Sequence, residues 1–261
     1  MNDDAKAKSP IKDLPVHMPG QSLDQHIQDV LDEKVLTYWM IIALMIILAG
    51  LEWYRQYFNL KPSPKTYTVI AIPVIAYSFW RMCKGVMEVE HLKLGRTGER
   101  AVGQYLEEKL RPMRCQVLHD IPFDGFNIDH VVIGPTGVYS IETKTHSKPM
   151  KGDAKVQYDG KNVSVNGFKP DRDPVVQAKA NAHSLAELIE RSSGRKVTVR
   201  PVVLFPGWFI EKQPAGVEVW VLNEKALPSF ISNDKKILPP EDVSLITTHL
   251  KRFVISVDQN Q

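Results

Sequence analysis

Apolar and polar positions divide the chain into four kinds of stretch. Residues 1–20 hold Asp, Lys, Pro and Ser with few large apolar groups and no periodicity, the pattern of a disordered segment. Leu23, Ile27, Val30 and Leu31 then recur at helical spacing behind Ser22-Leu23-Asp24-Gln25, which resembles a capping box. They predict a short amphipathic helix, lying beside a membrane or against the main domain. Val35–Leu51 and Thr66–Trp80 carry no charged residue, and Met40–Ala49 is apolar all round rather than along one stripe. From His91 onward apolar positions alternate with polar ones at strand and helix periods, over a length ample for one packed domain.

The two uncharged runs predict a transmembrane hairpin over residues 35–82. Both are shorter than the ~20 residues usual for a spanning helix. Lys34, Glu52, Lys65 and Arg81 therefore fall at the headgroups. Tyr38-Trp39, Trp53-Tyr54, Tyr67 and Trp80 bracket the runs, as a membrane interface favours. The competing expectation is a pair of buried core helices. Pro73 predicts a kink in the second span. Basic residues flanking the hairpin's open side (Lys34, Arg81, Lys84, Lys93, Arg96) outnumber those of the connection (Arg55, Lys61, Lys65). That bias places both termini and the C-terminal domain in the cytoplasm, in a chain expected in a bacterial inner membrane. The apolar run begins too late, and lacks the cleavage pattern, for a removed signal peptide.

In the C-terminal part, Gly95-Arg96-Thr97-Gly98-Glu99 predicts the opening of a helix to about Leu110, with Val102, Leu106 and Leu110 as its buried stripe. Glu99 shares that stripe, where an unpaired carboxylate is costly. It also suits the acid-favouring first turn of a helix. Gly103 lets a neighbour approach closely. Gln116–Pro122 predicts a strand. Phe126–Ile133 and Val138–Lys144 predict a hairpin closed by Gly134-Pro135-Thr136-Gly137. Asp159-Gly160 predicts a further hairpin joining Val156–Tyr158 to Asn162–Val165. Asp173-Pro174 starts a helix that ends before Gly194. Val197–Phe205 and Val217–Leu222 predict strands, the first covered on both faces. Leu227–Ile231 and Asp242–Phe253 predict closing helices.

Composition adds exclusions. A formal net charge of +3 over 261 residues names no partner. Two distant cysteines, Cys83 and Cys115, exclude a structural zinc site and give no case for disulfides, which fits a reducing compartment.

The candidate chemistry lies in the first hairpin. If Ile133 faces Val138, Asp129 falls opposite Glu142, and Glu142 and Lys144 share a face. Opposed residues sit about 4.5–5.5 Å apart at Cβ, where like charges are destabilising. Two carboxylates tolerate this if one keeps a proton or a cation lies between them. Their oxygens suit Mg²⁺ or Mn²⁺. Lys144 adds a point charge for a phosphate. The bland alternative is an exposed sheet face with scattered charges. Residues 144–179 are rich in lysine, including Lys148, Lys151 and Lys155, as a polyanion-binding surface or a solvated loop would be. Gln177, in the first turn of its helix, either reaches the hairpin or faces solvent.

Gly95-x-x-Gly98-Glu99, Ile128-Asp129-His130, Gly137-Val138-Tyr139-Ser140-Ile141-Glu142-Thr143-Lys144 and Pro174-x-x-Gln177 together resemble the nuclease-related domain (NERD) family. That family is similar to the PD-(D/E)XK restriction-endonuclease-like superfamily. The resemblance covers about Leu92 to Leu204, with looser support to Leu222. It implies an α/β fold with a restriction-endonuclease-like αβββαβ core and a mixed sheet. The expected organisation is a disordered N-terminus with a short amphipathic helix (1–34), the membrane hairpin (35–82), the nuclease-related domain (91–222) and a helical extension (223–261).

The resemblance further implies that Asp129 and Glu142 bind a divalent metal, that Lys144 is the third signature residue, and that Glu99 and Gln177 are accessory. Ile128 departs from the proline of the superfamily name, beside the chemistry rather than in it. The implied activity is Mg²⁺- or Mn²⁺-dependent hydrolysis of phosphodiester bonds in DNA, with Lys148, Lys151 and Lys155 on the backbone phosphates. The alternative is a non-catalytic, membrane-tethered module that binds nucleic acid or protein. A third reading makes the spans a small channel or sensor, but they carry no interior acid or base for an ion path.

Overall fold

The computed structural model describes residues 16–58, 60–61, 63–148, 154–211 and 213–259. They group into two units, one of residues 21–97 and one of residues 16–20 with 98–259.

The first unit is helical. Helix α1 (Gln21–Val30) passes through a π-helical segment (Leu31–Leu36) into α2 (Thr37–Tyr57), and α3 runs from Pro64 to Leu110, its residues to 97 lying in this unit. The amphipathic stripe of α1 is spent within the unit: Ile27 and Val30 bury against Val89, with Leu92 alongside. Ion pairs Lys34–Glu88 and Asp24–Arg96, each 2.6 Å, flank that contact. Buried Glu52 accepts from Arg55 (2.8 Å) and from the Ser63 N–H (3.0 Å), tying the end of α2 to the start of α3. The two uncharged stretches leave many large apolar side chains uncovered. Trp39, Met40, Leu44, Ile46, Val69, Ile72 and Phe79 lie exposed, and these two helices are long and apolar enough to cross a membrane. Pro73 lies inside α3.

No helix opens at Gly95, contrary to expectation; α3 passes through Gly95 and Gly98 unbroken. An interior glycine costs a helix only about 1 kcal/mol, which tertiary contacts offset. At Gly98 the contact is the Thr145 side chain, which lies where a Cβ would stand.

The second unit is built on a five-stranded mixed sheet in the order β1-β2-β3-β6-β8. Strands β1 (Gln116–Phe123), β2 (Phe126–Gly134) and β3 (Gly137–Thr143) are antiparallel, while β6 (Val199–Leu204) and β8 (Trp220–Leu222) run parallel to β3 and to each other. Residues 98–110 of α3 cover one face through Val102, Leu106 and Leu110, packed with Val132, Tyr139 and Ile141. Helices α4 (Pro174–Ser193) and α6 (Pro240–Asp258) cover the other through Leu185, Ile189, Ile246 and Leu250, packed with Val131, Ile133 and Val138. Leu227 and Ile231 of α5 (Leu227–Asn233) join the α3 side. Strand β6 is covered on both faces, Val202 and Leu204 facing one cluster and Val203 another.

Between β3 and α4 stands the hairpin β4 (Lys155–Tyr158) and β5 (Val163–Val165). A two-residue strand that the sequence pattern misses, β7 (Phe209–Ile210), adds to it in a second sheet, β5-β4-β7. Two residues are too few for any alternation to register.

Residues 16–20, expected to be disordered, pack into this unit. Pro19 lies against Gly103, in the space a side chain there would fill. Buried His17 is hydrogen-bonded to the Asp120 carbonyl (2.7 Å) and to the Asp258 carboxylate (2.9 Å). One histidine and one proline anchor the segment, too few for a compositional reading to detect. The remainder of the expected disordered stretch lies outside the described residues.

Candidate active site

The hairpin register is the predicted one: Ile133 pairs with Val138 and His130 with Ile141. Ladder pairing stops one step before Asp129 and Glu142. There the Asp129 carboxylate takes over, accepting from the Thr143 backbone N–H at 2.6 Å. When the Asp129 carboxyl is ionised, this bond to a strand N–H is charge-assisted and fixes its position.

Glu142 is buried near the end of β3 and pairs with Lys144 just beyond it. Lys144 Nζ donates to Glu142 Oε1 at 2.7 Å and to Gln177 Oε1 at 2.9 Å. Gln177 Nε2 donates to the same Glu142 oxygen at 2.8 Å, and Asn181 Nδ2 donates to Oε2 at 3.0 Å. Gln177 therefore reaches the hairpin. Helix α4 delivers both amides because they stand one turn apart, near an N-terminus capped by Asp173, whose side chain accepts from the Val175 N–H at 2.9 Å.

Glu99 and Asp129 carry the electrostatic signature. Burial, then the charges of Asp120 and Glu142, push the Glu99 carboxyl from its usual 4.5 up to about 8, with Lys144 opposing. Burial, then Glu142 and Glu99, push Asp129 well above the carboxylate range, against the Thr143 N–H and Lys144. Acids crowded in this way hold protons until a cation replaces them. The hydroxyls of Thr143 and Thr145, on either side of Lys144, are buried with no hydrogen-bond partner among the described residues.

Two members escape a reading of the sequence. Asn181 looks like one more polar position on a helix. Asp120 sits in β1 with φ at 51° and accepts from Asn127 Nδ2 at 3.0 Å. The β1–β2 register is unchanged on either side of it, yet Leu118 and Ile121, three apart, enter the same core cluster, as do Ile128 and Val131 opposite. Strict alternation thus slips at Asp120 and Asp129. The spacing Leu118–Ile121 is the trace this leaves in the sequence.

Between β1, β2 and α3, His119 Nδ1 meets His130 Nδ1 at 2.9 Å and His119 Nε2 meets Glu107 at 2.8 Å. Burial holds both rings below the usual histidine range. If Nε2 of His119 donates to Glu107, its Nδ1 accepts from His130, whose buried Nε2 is then a bare acceptor without a partner among the described residues.

Of the lysines expected on a polyanion, Lys148 is exposed with its amine passing close to Gly207, and Lys155 is exposed on β4. Lys151 lies outside the described residues.

Among the described residues no three His, Cys, Asp or Glu side chains form a group able to hold an ion by themselves. The donor set still fits a hard cation. Mg²⁺ keeps several waters and takes one or two carboxylates, which Asp129 and Glu142 can supply beside the unpartnered hydroxyls.

Comparison with known families finds a match over residues 94–206 to the model of NERD, nuclease-related domain, a family of the restriction-endonuclease-like superfamily. No curated protein and no solved structure matches the chain.

Proposed function

From the nuclease-related domain that residues 94–206 carry, we propose that this chain is a membrane-anchored nuclease hydrolysing phosphodiester bonds in DNA with the help of a divalent cation. The supporting observation is one lysine and two amides gathered on Glu142, beside two acids whose ionisation is suppressed by burial and then by their acidic neighbours.

Asp129 and Glu142 hold the cation, Mg²⁺ or Mn²⁺. When bound, it supplies Lewis-acid charge and lowers the pKa of water in its shell. Lys144 sets an ammonium where negative charge develops on the phosphoryl group. Gln177 and Asn181 fix the Glu142 carboxylate, and Gln177 also steadies Lys144 Nζ. Glu99, whose carboxyl is pushed up to about 8, can hold or accept a proton within reach of the charges of Glu142 and Lys144. The apolar helices α2 and α3 anchor the chain in the bilayer through residues 35–82, with the catalytic unit on the cytoplasmic side.

The test uses the full chain, purified in detergent, with plasmid DNA and Mg²⁺. Cleavage should occur, stop with EDTA, and fall at least 100-fold in Asp129→Ala and Lys144→Ala, about the loss expected for one transition-state donor. Undiminished metal-dependent cleavage in both variants refutes the assignment. Binding without cleavage in the unaltered chain points instead to a non-catalytic nucleic-acid-binding module.

A further inference from the structure

Beside Lys144 a cleft of about 400 Å³ opens, lined by His146, Phe168, Lys169, Asp171 and Arg172 among others. Three cations (Lys144, Lys169 and Arg172) and three aromatic rings line it with one carboxylate, Asp171. Among the described residues no carboxylate pairs with Lys169 or Arg172.

Phe168 is the most exposed large apolar side chain among the described residues of this unit, ahead of the next phenylalanine, Phe209, at 62%. It is 78% exposed, yet its backbone is tightly held. Val165 and Phe168 exchange both backbone hydrogen bonds, at 2.9 and 3.0 Å, around Asn166-Gly167, whose φ angles are 51° and 80°. Two successive left-handed residues closed in this way make a tight hairpin turn that Asn-Gly favours. The turn is clamped to β4, since Asn166 Oδ1 accepts from the Lys155 N–H at 3.0 Å and Asn166 donates to the Lys155 carbonyl at 2.9 Å. A rigid tip presenting a bare ring costs solvation free energy and gives nothing back within this unit. Also in the lining, the His146 ring stacks on Phe205 with centroids 5.8 Å apart.

We infer that this cleft takes an unpaired nucleotide next to the scissile phosphate, with its base stacked on Phe168 and its phosphates neutralised by Lys169 and Arg172. The inference rests on the nuclease reading of the adjoining site and gives that site a substrate preference: single-stranded or frayed nucleic acid. Exposed aromatics set among basic residues are how unpaired strands are held, because every base has a π face whatever its sequence. A volume of about 400 Å³ has room for one splayed nucleotide.

The experiment measures binding of fluorescent single-stranded and duplex DNA of equal length by the full chain in EDTA, and cleavage of the same DNA in Mg²⁺. Single strands should bind more tightly than duplex. Phe168→Ala should weaken single-strand binding roughly 5- to 140-fold, the loss of one stacked base, and Phe168→Trp should restore it. Unchanged single-strand affinity in Phe168→Ala overturns this inference while leaving any Mg²⁺-dependent cleavage, and so the nuclease reading, intact. Phe168-dependent binding with no cleavage supports the cleft and removes the nuclease reading instead. In lipid nanodiscs, quenching of the Phe168→Trp fluorescence by brominated acyl chains rather than by the oligonucleotide assigns the tip to the bilayer and overturns the inference.

Discussion

Glu99 turns the crowding of acids into a measurable pH dependence. Its carboxyl titrates at about 8 in the folded chain against a usual 4.5. The folded state therefore binds more protons than the unfolded state between those values. Its contribution to stability is complete below about 4.5 and is lost as pH rises through about 8. Asp129 acts in the same sense. The buried histidines act oppositely. His119 and His130 are held below their usual range, so their contribution is present above the unfolded histidine value and is lost on acidification. In EDTA, the melting temperature of the chain should fall between pH 6 and about 8. Glu99→Gln should flatten that fall and melt higher than the unaltered chain at the upper end, and Mg²⁺ should stabilise the unaltered chain more as pH rises. A slope untouched by Glu99→Gln contradicts the half-buried, acid-facing placement of this residue. At this scale the sequence is informative where residue types are unusual for their place. Asp129, Glu142 and Lys144 stand out because a hairpin turn fixes their register. Asp120 and Asn181 do not, since one depends on a left-handed backbone step and the other on a helix face whose partner is remote in sequence.

Elements were legible in proportion to the local chemistry that ends them. The turn Gly134–Gly137, the Asp173 cap and the Gly194 stop each declare themselves within a few residues, and the structure ends its strands and helix there. Strand β7 and the continuity of α3 depend on contacts made elsewhere in the unit, and no local pattern carries them. Glycine in α3 makes the point testable. Gly95→Ala meets only Leu23 Cδ1, at 3.6 Å, an ordinary contact, so it should stabilise by about 0.5–1 kcal/mol through helix propensity. Gly98→Ala drives a methyl into the side chain of Thr145. Overpacking costs about 1–3 kcal/mol, more than propensity returns, so this variant should melt lower. The two substitutions are chemically identical, and opposite signs in a thermal melt separate packing from propensity. Equal signs would show that Thr145 yields without cost.

For the whole molecule, length and composition allowed a membrane hairpin and a packed α/β part, and the structure contains two helices of the required length and apolarity with a mixed-sheet unit. With so many large apolar side chains uncovered on α2 and α3, the chain should remain in the membrane fraction through an alkaline carbonate wash. A cytoplasm-side protease should remove an epitope at its C-terminus. Release by carbonate, or protection of that epitope in inside-out vesicles, counts against the anchoring or the orientation respectively. The mixed-sheet unit draws on two separated pieces of the chain, residues 16–20 and 98–259, with the whole apolar unit between them. His17 meets Asp120 and Asp258 together. During synthesis, the earliest of these residues leaves the ribosome long before its last partner exists, so this joint can close only after Asp258 has emerged. A truncated product begun at Gly98 would emerge with the seat for Pro19 vacant.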